Sequence, residues 1–313
     1  MRYTIDPGKT RRSINFIDNV CYSCVTDTEG RPLELRLSLM VQNGNSEMRL
    51  AAGRDDEVST GLQPLIVWIN GAGWRGCDKN LMAAEMYFLA EAGYAVAFPY
   101  YRSSAEGHFP DQLVDIKTAV RFLRAHATEY SVDPARVGTI GRSAGGHLSA
   151  WMAMNVDQFH GEEWSEQPDT VTCAVNMFGP VDIKKLNLVE VENFKNPSHR
   201  WHSLPETHGG ALVGGDPDTI IERSDAASPI FSISDTMAPL LILHGDQDPL
   251  VPLSISEEFY ERIVEAGYED RADLAIVKNG GHGTRELFQP MTKKLILDFF
   301  DKHLRGENLN VWT

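Results

Sequence analysis

The sequence predicts an α/β fold: a mostly parallel central sheet with helices on both faces and a short lid inserted late in the chain. Three observations point that way. Short apolar runs of strand length alternate with longer segments whose apolar residues recur every three or four positions. Residues 64–69 are an almost unbroken apolar run, as a strand buried on both faces should be. Gly141-Arg142-Ser143-Ala144-Gly145 lies between an apolar run at 137–140 and a helix-like stretch at 144–155.

Residues 1–61 read as a polar lead-in, two antiparallel edge strands near 19–26 and 33–41, and a loop rich in Asn, Gly and charge at 42–61, all part of the same domain as the rest. Residues 62–313 form its main body. The strand at 64–69 ends in Asn70-Gly71-Ala72-Gly73-Trp74. A helix over 80–92 stops at Gly93, a residue suited to the left-handed position that ends many helices. A strand at 94–98 follows, then a long helix over 111–130 with Leu113, Ile116, Val120, Leu123 and Ala127 on one face. After the 137–140 strand and its helix comes a strand at 170–178.

Residues 184–215 break the rhythm. They are polar, interrupted by Gly and Pro, and carry Trp201 with His199, His202 and His208, so they read as an irregular lid. The alternation then resumes with a strand at 239–243, a helix at 254–266, a strand at 272–277 and a closing helix at 284–304.

Composition narrows the function. With 313 residues, 42% of them hydrophobic, the chain has enough apolar surface for a large core. Lys and Arg total 29 against 44 Asp and Glu, a net charge of -15 that repels phosphate backbones and anionic lipid. Nucleic-acid and membrane-surface partners are therefore not expected. No run approaches the ~18 apolar residues of a membrane span. The polar N-terminus does not resemble a signal peptide, so the expectation is a cytoplasmic protein or the mature form of an exported one. The four cysteines are unevenly spaced; Cys21 and Cys24 read as strand residues rather than a redox pair.

The chemistry gathers in loops that follow strands, where open α/β sheets carry their sites. Ser143 lies on a strand-to-helix turn, flanked by glycines that clear room for so sharp a bend. A serine hydroxyl needs a general base, and the base an orienting acid. His282 stands between glycines after the 272–277 strand; Asp246 and Asp248 are both candidate acids after the 239–243 strand. The backbone N–H of Ala144 is one donor to a developing oxyanion, and the small residues of 70–74 would let a second backbone approach closely. His147, four residues past Ser143, and His244, at a strand end, read as packing and loop anchoring. His199-x-x-His202 lacks the Cys or carboxylate spacing of a zinc site, so no metal and no cofactor are expected.

These motifs resemble those of α/β-hydrolase carboxylesterases of the hormone-sensitive-lipase-like type, nearest to the bifunctional feruloyl and acetyl-xylan esterases. The matching residues are Asn70 to Trp74, Tyr101-Arg102, Ser143 to Leu148, Ser228-Pro229, Asp248 with Val251-Pro252, and Gly281-His282, over residues 62–304. The resemblance implies Ser143 as nucleophile, His282 as base, Asp248 as acid, and Ala72, Gly73 and Ala144 as oxyanion donors. Asn70 stands where the family usually has His, and Ala72 where it has Gly. Trp74, Tyr101 and Trp201 are the expected substrate contacts; Trp74, Trp164 and Trp201 offer flat faces of the kind that pack on sugar rings. The implied activity is hydrolysis of short-acyl esters, acetyl or feruloyl, on plant-type carbohydrate, with a small-molecule or oligosaccharide substrate. Amide hydrolysis, arylformamidase- or peptidase-like, would use the same triad. A non-catalytic binding relative would be expected to lack a triad member, and none is missing from the sequence.

Overall fold

The computed structural model describes residues 1–6, 13–42, 61–76, 78–193, 203–216 and 219–307. Eight strands form one sheet: β1 (Ile14–Thr26), β2 (Pro32–Gln42), β3 (Gln63–Ile69), β4 (Ala95–Pro99), β5 (Val132–Arg142), β6 (Cys173–Met177), β7 (Leu240–Gly245) and β8 (Ala272–Val277), in the order β1-β2-β4-β3-β5-β6-β7-β8. β1 and β2 pair antiparallel, as does β2 with β4; from β4 to β8 every pairing is parallel. This is the α/β-hydrolase fold that the motifs imply.

The apolar run that predicted a doubly covered strand behaves as one. All of β3 is buried. Its side chains alternate between two core layers, Leu65, Val67 and Ile69 facing one and Ile66 and Trp68 the other, as the period of two dictates. The first layer is closed by α2 (Asp111–Ala125), α3 (Ala144–Met154) and α7 (Leu253–Glu265), which contribute Leu113, Ile116, Val120, Leu148 and Phe259. The second is closed by α1 (Ala83–Glu91) and α8 (Pro290–Phe300), with Met86, Leu89, Ile296 and Phe300. β1 and β8 are the outer strands, and their partly exposed residues fit a place at the sheet margin.

Several boundaries differ from expectation. α1 begins at Ala83 because Asn80 and Leu81 lie in a turn: the Asn80 N–H donates to Asp78 Oδ1, the Leu81 N–H to Asp78 O, and Asn80 O accepts the Ala83 N–H. β5 is longer than its apolar run, since Val132 and Asp133 pair with Gln63 and Pro64 of β3. The closing helix is divided: a 3-10 turn (Arg285–Phe288) precedes α8, whose first residue, Pro290, lacks the N–H needed to continue from the turn.

The largest departure is 184–215. Its described part is helical rather than irregular, containing most of α4 (Ile183–Asn193), a 3-10 turn at Leu204–Glu206 and α5 (His208–Leu212). Thr207 caps α5 by accepting the Gly210 N–H at 2.8 Å. A further helix, α6 (Ile220–Ala226), leads back to the sheet. Trp201, His199 and His202, and the loop at 43–60, lie outside the described residues. No helix among the described residues is long and apolar enough to cross a membrane.

Candidate active site

The turn that ends β5 is the most strained part of the site. Ser143 has φ 51° and ψ −124°, a backbone conformation rare for any residue with a side chain and worth of order 1–3 kcal/mol. Its N–H donates to Met177 O on β6 at 2.9 Å, and its own carbonyl accepts from His147 at 3.0 Å, so sheet and helix both hold it. The bend requires α3 to begin against β3. A Cβ at Gly145 would lie 1.9 Å from the carbonyl oxygen of Ile69, so only glycine fits there.

His282, on the loop after β8, reaches the serine. Its Nε2 lies 2.9 Å from Ser143 Oγ, and its Nδ1 2.8 Å from Asp248 Oδ2. The ring is supported edge-on by Phe178, centroids 4.9 Å apart. The two candidate acids differ in position, and it is Asp248 that meets His282. Asp248 points inward, its Oδ1 accepting from the N–H groups of Leu250 and Val251 at 2.9 and 3.0 Å. Asp246 instead accepts the Asn279 N–H at 2.7 Å and braces the two loops. Burial disfavours the charge on Asp248, but bonds from His244, His282 and the Val251 N–H outweigh it and hold the carboxyl well below its usual range.

His244 anchors this loop, as expected. It is fully buried, with Nδ1 2.7 Å from Ser256 Oγ, Nε2 2.9 Å from Val251 O, and the same nitrogen 3.4 Å from Asp248 Oδ2. His147 is packing: fully buried, its Nε2 2.7 Å from Ala227 O, its ring edge-on to Trp74.

Ala72, Gly73 and Ala144 line the same cavity, of about 330 Å³, as Ser143 and His282. The loop is a tight turn: Arg75 N–H donates to Ala72 O at 3.1 Å, with positive φ at Gly73 (58°) and Trp74 (55°), the signature of a type I′ turn. Asn70 does the work of holding it. Its Oδ1 accepts from Gly71 N–H at 3.0 Å and Arg142 Nε at 2.9 Å, while its Nδ2 donates to Asp78 O and Leu81 O. On the outer side, Arg75 donates to the carbonyls of Glu206 at 2.6 Å and Thr207 at 3.3 Å, joining the loop to the 184–215 segment.

The expected substrate contacts fare less well. Tyr101 is buried, and its hydroxyl donates to Asn70 O at 2.8 Å, so it shapes the loop from behind rather than meeting substrate. Trp74 borders the cavity but is only 1% exposed, a wall rather than a platform. Trp164 is half-buried far from the site, its indole N–H on Tyr22 O and its ring against Phe122 and His126. Trp201 lies outside the described residues. The remaining wall comes from Phe178, Leu186, Leu250 and Glu190, none of them singled out in the sequence, and from His208, named there only among the histidines of the 184–215 segment. Leu250 could have been found from its place beside Asp248. Nothing local marks Glu190 and His208, which are brought together only by α4 and α5.

The BD-FAE family matches residues 55–263 of this chain. The chain is 32% identical to a probable carboxylic ester hydrolase, LipM, of Mycobacterium tuberculosis over 213 residues, covering 67% of this chain and 47% of the relative. It is 26% identical to the esterase LipC of the same organism, covering 74% and 55%. The chain thus spans about half the length of the curated relatives it matches. Among solved structures, a truncated carbohydrate esterase from gut microbiota superposes with a TM-score of 0.74 at 26% identity, covering 96% of this chain and 99% of the other. Esterase 2 of Thermogutta terrifontis, at 22% identity and TM-score 0.66, shares the fold. The elbow, the loops that follow β3, β7 and β8, and a family match over two thirds of the sequence agree: this chain belongs to the BD-FAE family, on an α/β-hydrolase fold.

Proposed function

We propose that this chain hydrolyses carboxylic esters through an acyl-enzyme on Ser143. The carrying observation is the continuous relay from Ser143 Oγ to His282 at 2.9 Å and on to Asp248 at 2.8 Å, opening onto a cavity lined by backbone of Ala72, Gly73 and Ala144. Ser143 Oγ attacks the ester carbonyl while His282 Nε2 takes its proton. Asp248, kept ionised, orients the ring and stabilises the imidazolium. The N–H groups of Ala144, Ala72 and Gly73 meet the oxyanion, an arrangement in which one donor is worth about 10²–10³ in kcat. Collapse expels the alcohol, protonated by His282, and water then removes the acyl group by the same steps.

The names of LipM and LipC, an ester hydrolase and an esterase, support the reaction class. The carbohydrate esterase neighbour favours an acylated sugar as substrate. Cavity size favours a short acyl group. The described walls are largely apolar, through Trp74, Phe178, Leu186, Leu250 and Val251, and the volume of about 330 Å³ supports a limit on chain length. Each added CH₂ gains ~0.8 kcal/mol only while apolar wall remains to receive it. Activity on p-nitrophenyl esters should peak between acetyl and butyryl and fall by octanoyl. Ser143→Ala should abolish both this activity and labelling by a serine-directed phosphonate, with the circular dichroism unchanged. Labelling that survives in the variant would refute the assignment.

A further inference from the structure

One peptide group ties the strand of the nucleophile to the strand of the acid. It joins Met177 to Phe178: its carbonyl accepts the Ser143 N–H at 2.9 Å, and its N–H donates to Leu243 O on β7 at 2.7 Å. Phe178 has φ 43°, a conformation that glycine takes freely and a bulky residue does not. Strain of this kind collects at functional sites, and here it delivers an aromatic ring to the base. The ring is buried, borders the cavity and stands against His282 with centroids 4.9 Å apart and planes at 72°. Its Cζ and Cε2 also lie 3.7 and 3.8 Å from where a Cβ on Gly283 would stand, so it packs under the next residue of that loop as well. Among the described residues the imidazole makes two hydrogen bonds, from Nδ1 to Asp248 and from Nε2 to Ser143. It stands between Gly281 and Gly283, and its side chain is 16% exposed, so it has both a pliable loop and an open side to turn towards.

We propose that Phe178 is a positioning residue for deacylation: its ring keeps His282 aimed at the attacking water while Ser143 is esterified. This role rests on the ester-hydrolase reading above. In the free enzyme the Ser143 hydroxyl itself fixes Nε2, so acylation starts from an aligned pair. In the acyl-enzyme that oxygen has no proton to give and, as an ester oxygen, accepts only weakly. The bond from Nε2 is lost, and Asp248 remains as one attachment about which the ring can tilt. Deacylation nevertheless needs Nε2 in place. The water oxygen bonds to the acyl carbon as its proton passes to Nε2; the Oγ–acyl bond then breaks and the same proton moves to Oγ, releasing the acid. The edge-on ring of Phe178 supplies the second restraint at that stage.

The test separates the two half-reactions on p-nitrophenyl acetate. With enzyme in excess, p-nitrophenol release times acylation, and loss of the acetylated protein by intact mass times deacylation. Rates are counted per site labelled by a serine-directed phosphonate, so misfolded protein does not enter. In Phe178→Leu, which keeps an apolar wall without a ring, deacylation should slow by about tenfold or more, the scale of a misaligned reacting group. Acylation, and with it kcat/KM, should stay within about threefold. Phe178→Met, whose flexible chain fills irregular gaps, should show the same split and carries the test if the leucine variant does not fold. A role in packing or in shaping the cavity alone would change both half-reactions alike, or neither. Either result, or slowing of acylation alone, overturns the inference while leaving the esterase reading intact. Failure of wild type to become acetylated overturns both.

Discussion

Arg142 and Asn70 meet beneath the cavity, the guanidinium Nε donating to the amide Oδ1 at 2.9 Å, and that oxygen also accepts from Gly71. One amide therefore ties the residue before the nucleophile to the loop proposed to bind the oxyanion. Asn70 supplies an acceptor to both Arg142 and Gly71 while still donating to Asp78 O and Leu81 O.

Asn70→Ala should accordingly lower kcat on p-nitrophenyl acetate by about 10²-fold, the scale of a misplaced transition-state contact, with little change in KM. Steady-state kinetics settles it; a kcat within twofold of wild type would show that the loop holds its shape without the amide.

The two acids after β7 should separate cleanly. Asp248→Asn removes the charge that orients His282 and should cost at least ~10²-fold in kcat. Asp246→Asn keeps an acceptor for the Asn279 N–H and should cost less than about threefold, since that contact is a neutral loop bond. The opposite ranking in a kcat comparison would reassign the acid.

Gly145→Ala tests the seating of the elbow. The added methyl has no room, with Ile69 O 1.9 Å away. Separation of α3 from β3 should cost about 3 kcal/mol or more, read as a lower urea midpoint. An unchanged midpoint would contradict this packing.

His147 gives stability a pH dependence that can be isolated. Burial pushes its pKa from the ordinary imidazole value of 6.5 down to about 4, and the Ala227 carbonyl only partly offsets this. Nδ1 has no hydrogen-bond partner among the described residues, so a proton there would be buried uncompensated. Below pH ~6.5 the unfolded chain binds the proton and the folded one does not, so stability falls as pH drops from 6.5 towards 4. The loss is at most about 3 kcal/mol. Asp248 acts elsewhere: its lowered pKa adds stability present above pH ~4 and lost below it. Urea midpoints of wild type and His147→Gln should diverge as pH rises from 4 to 6.5, and parallel curves would refute the assignment.

Much of the fold was legible because parallel strands advertise themselves. Residues 64–69 and 239–243 are apolar on both faces, and Ser143, Asp248 and His282 each follow a strand, in that order. What was hidden has physical causes. The polar ends of β5 are ordered by pairing with β3, which no local pattern reveals. The 184–215 segment read as irregular because α4 alternates charge with isolated apolar residues, of which Leu186 is buried and Leu188 is not. An aromatic beside a Gly-rich loop reads equally as a sugar platform or a plug; Tyr101 and Trp74 are both buried, with Trp74 bordering the cavity.

The grip of Arg75 on the lid has a consequence for how this enzyme family could diversify. Its acceptors on Glu206 and Thr207 are main-chain carbonyls, which any amino acid supplies. These two bonds therefore do not depend on which side chains the segment carries. Exchange of His208, one position beyond Thr207, alters the lining of the cavity while both bonds remain possible. The lining and these two bonds are encoded in different atoms of the same short stretch, so one is open to drift or selection while the other stands still.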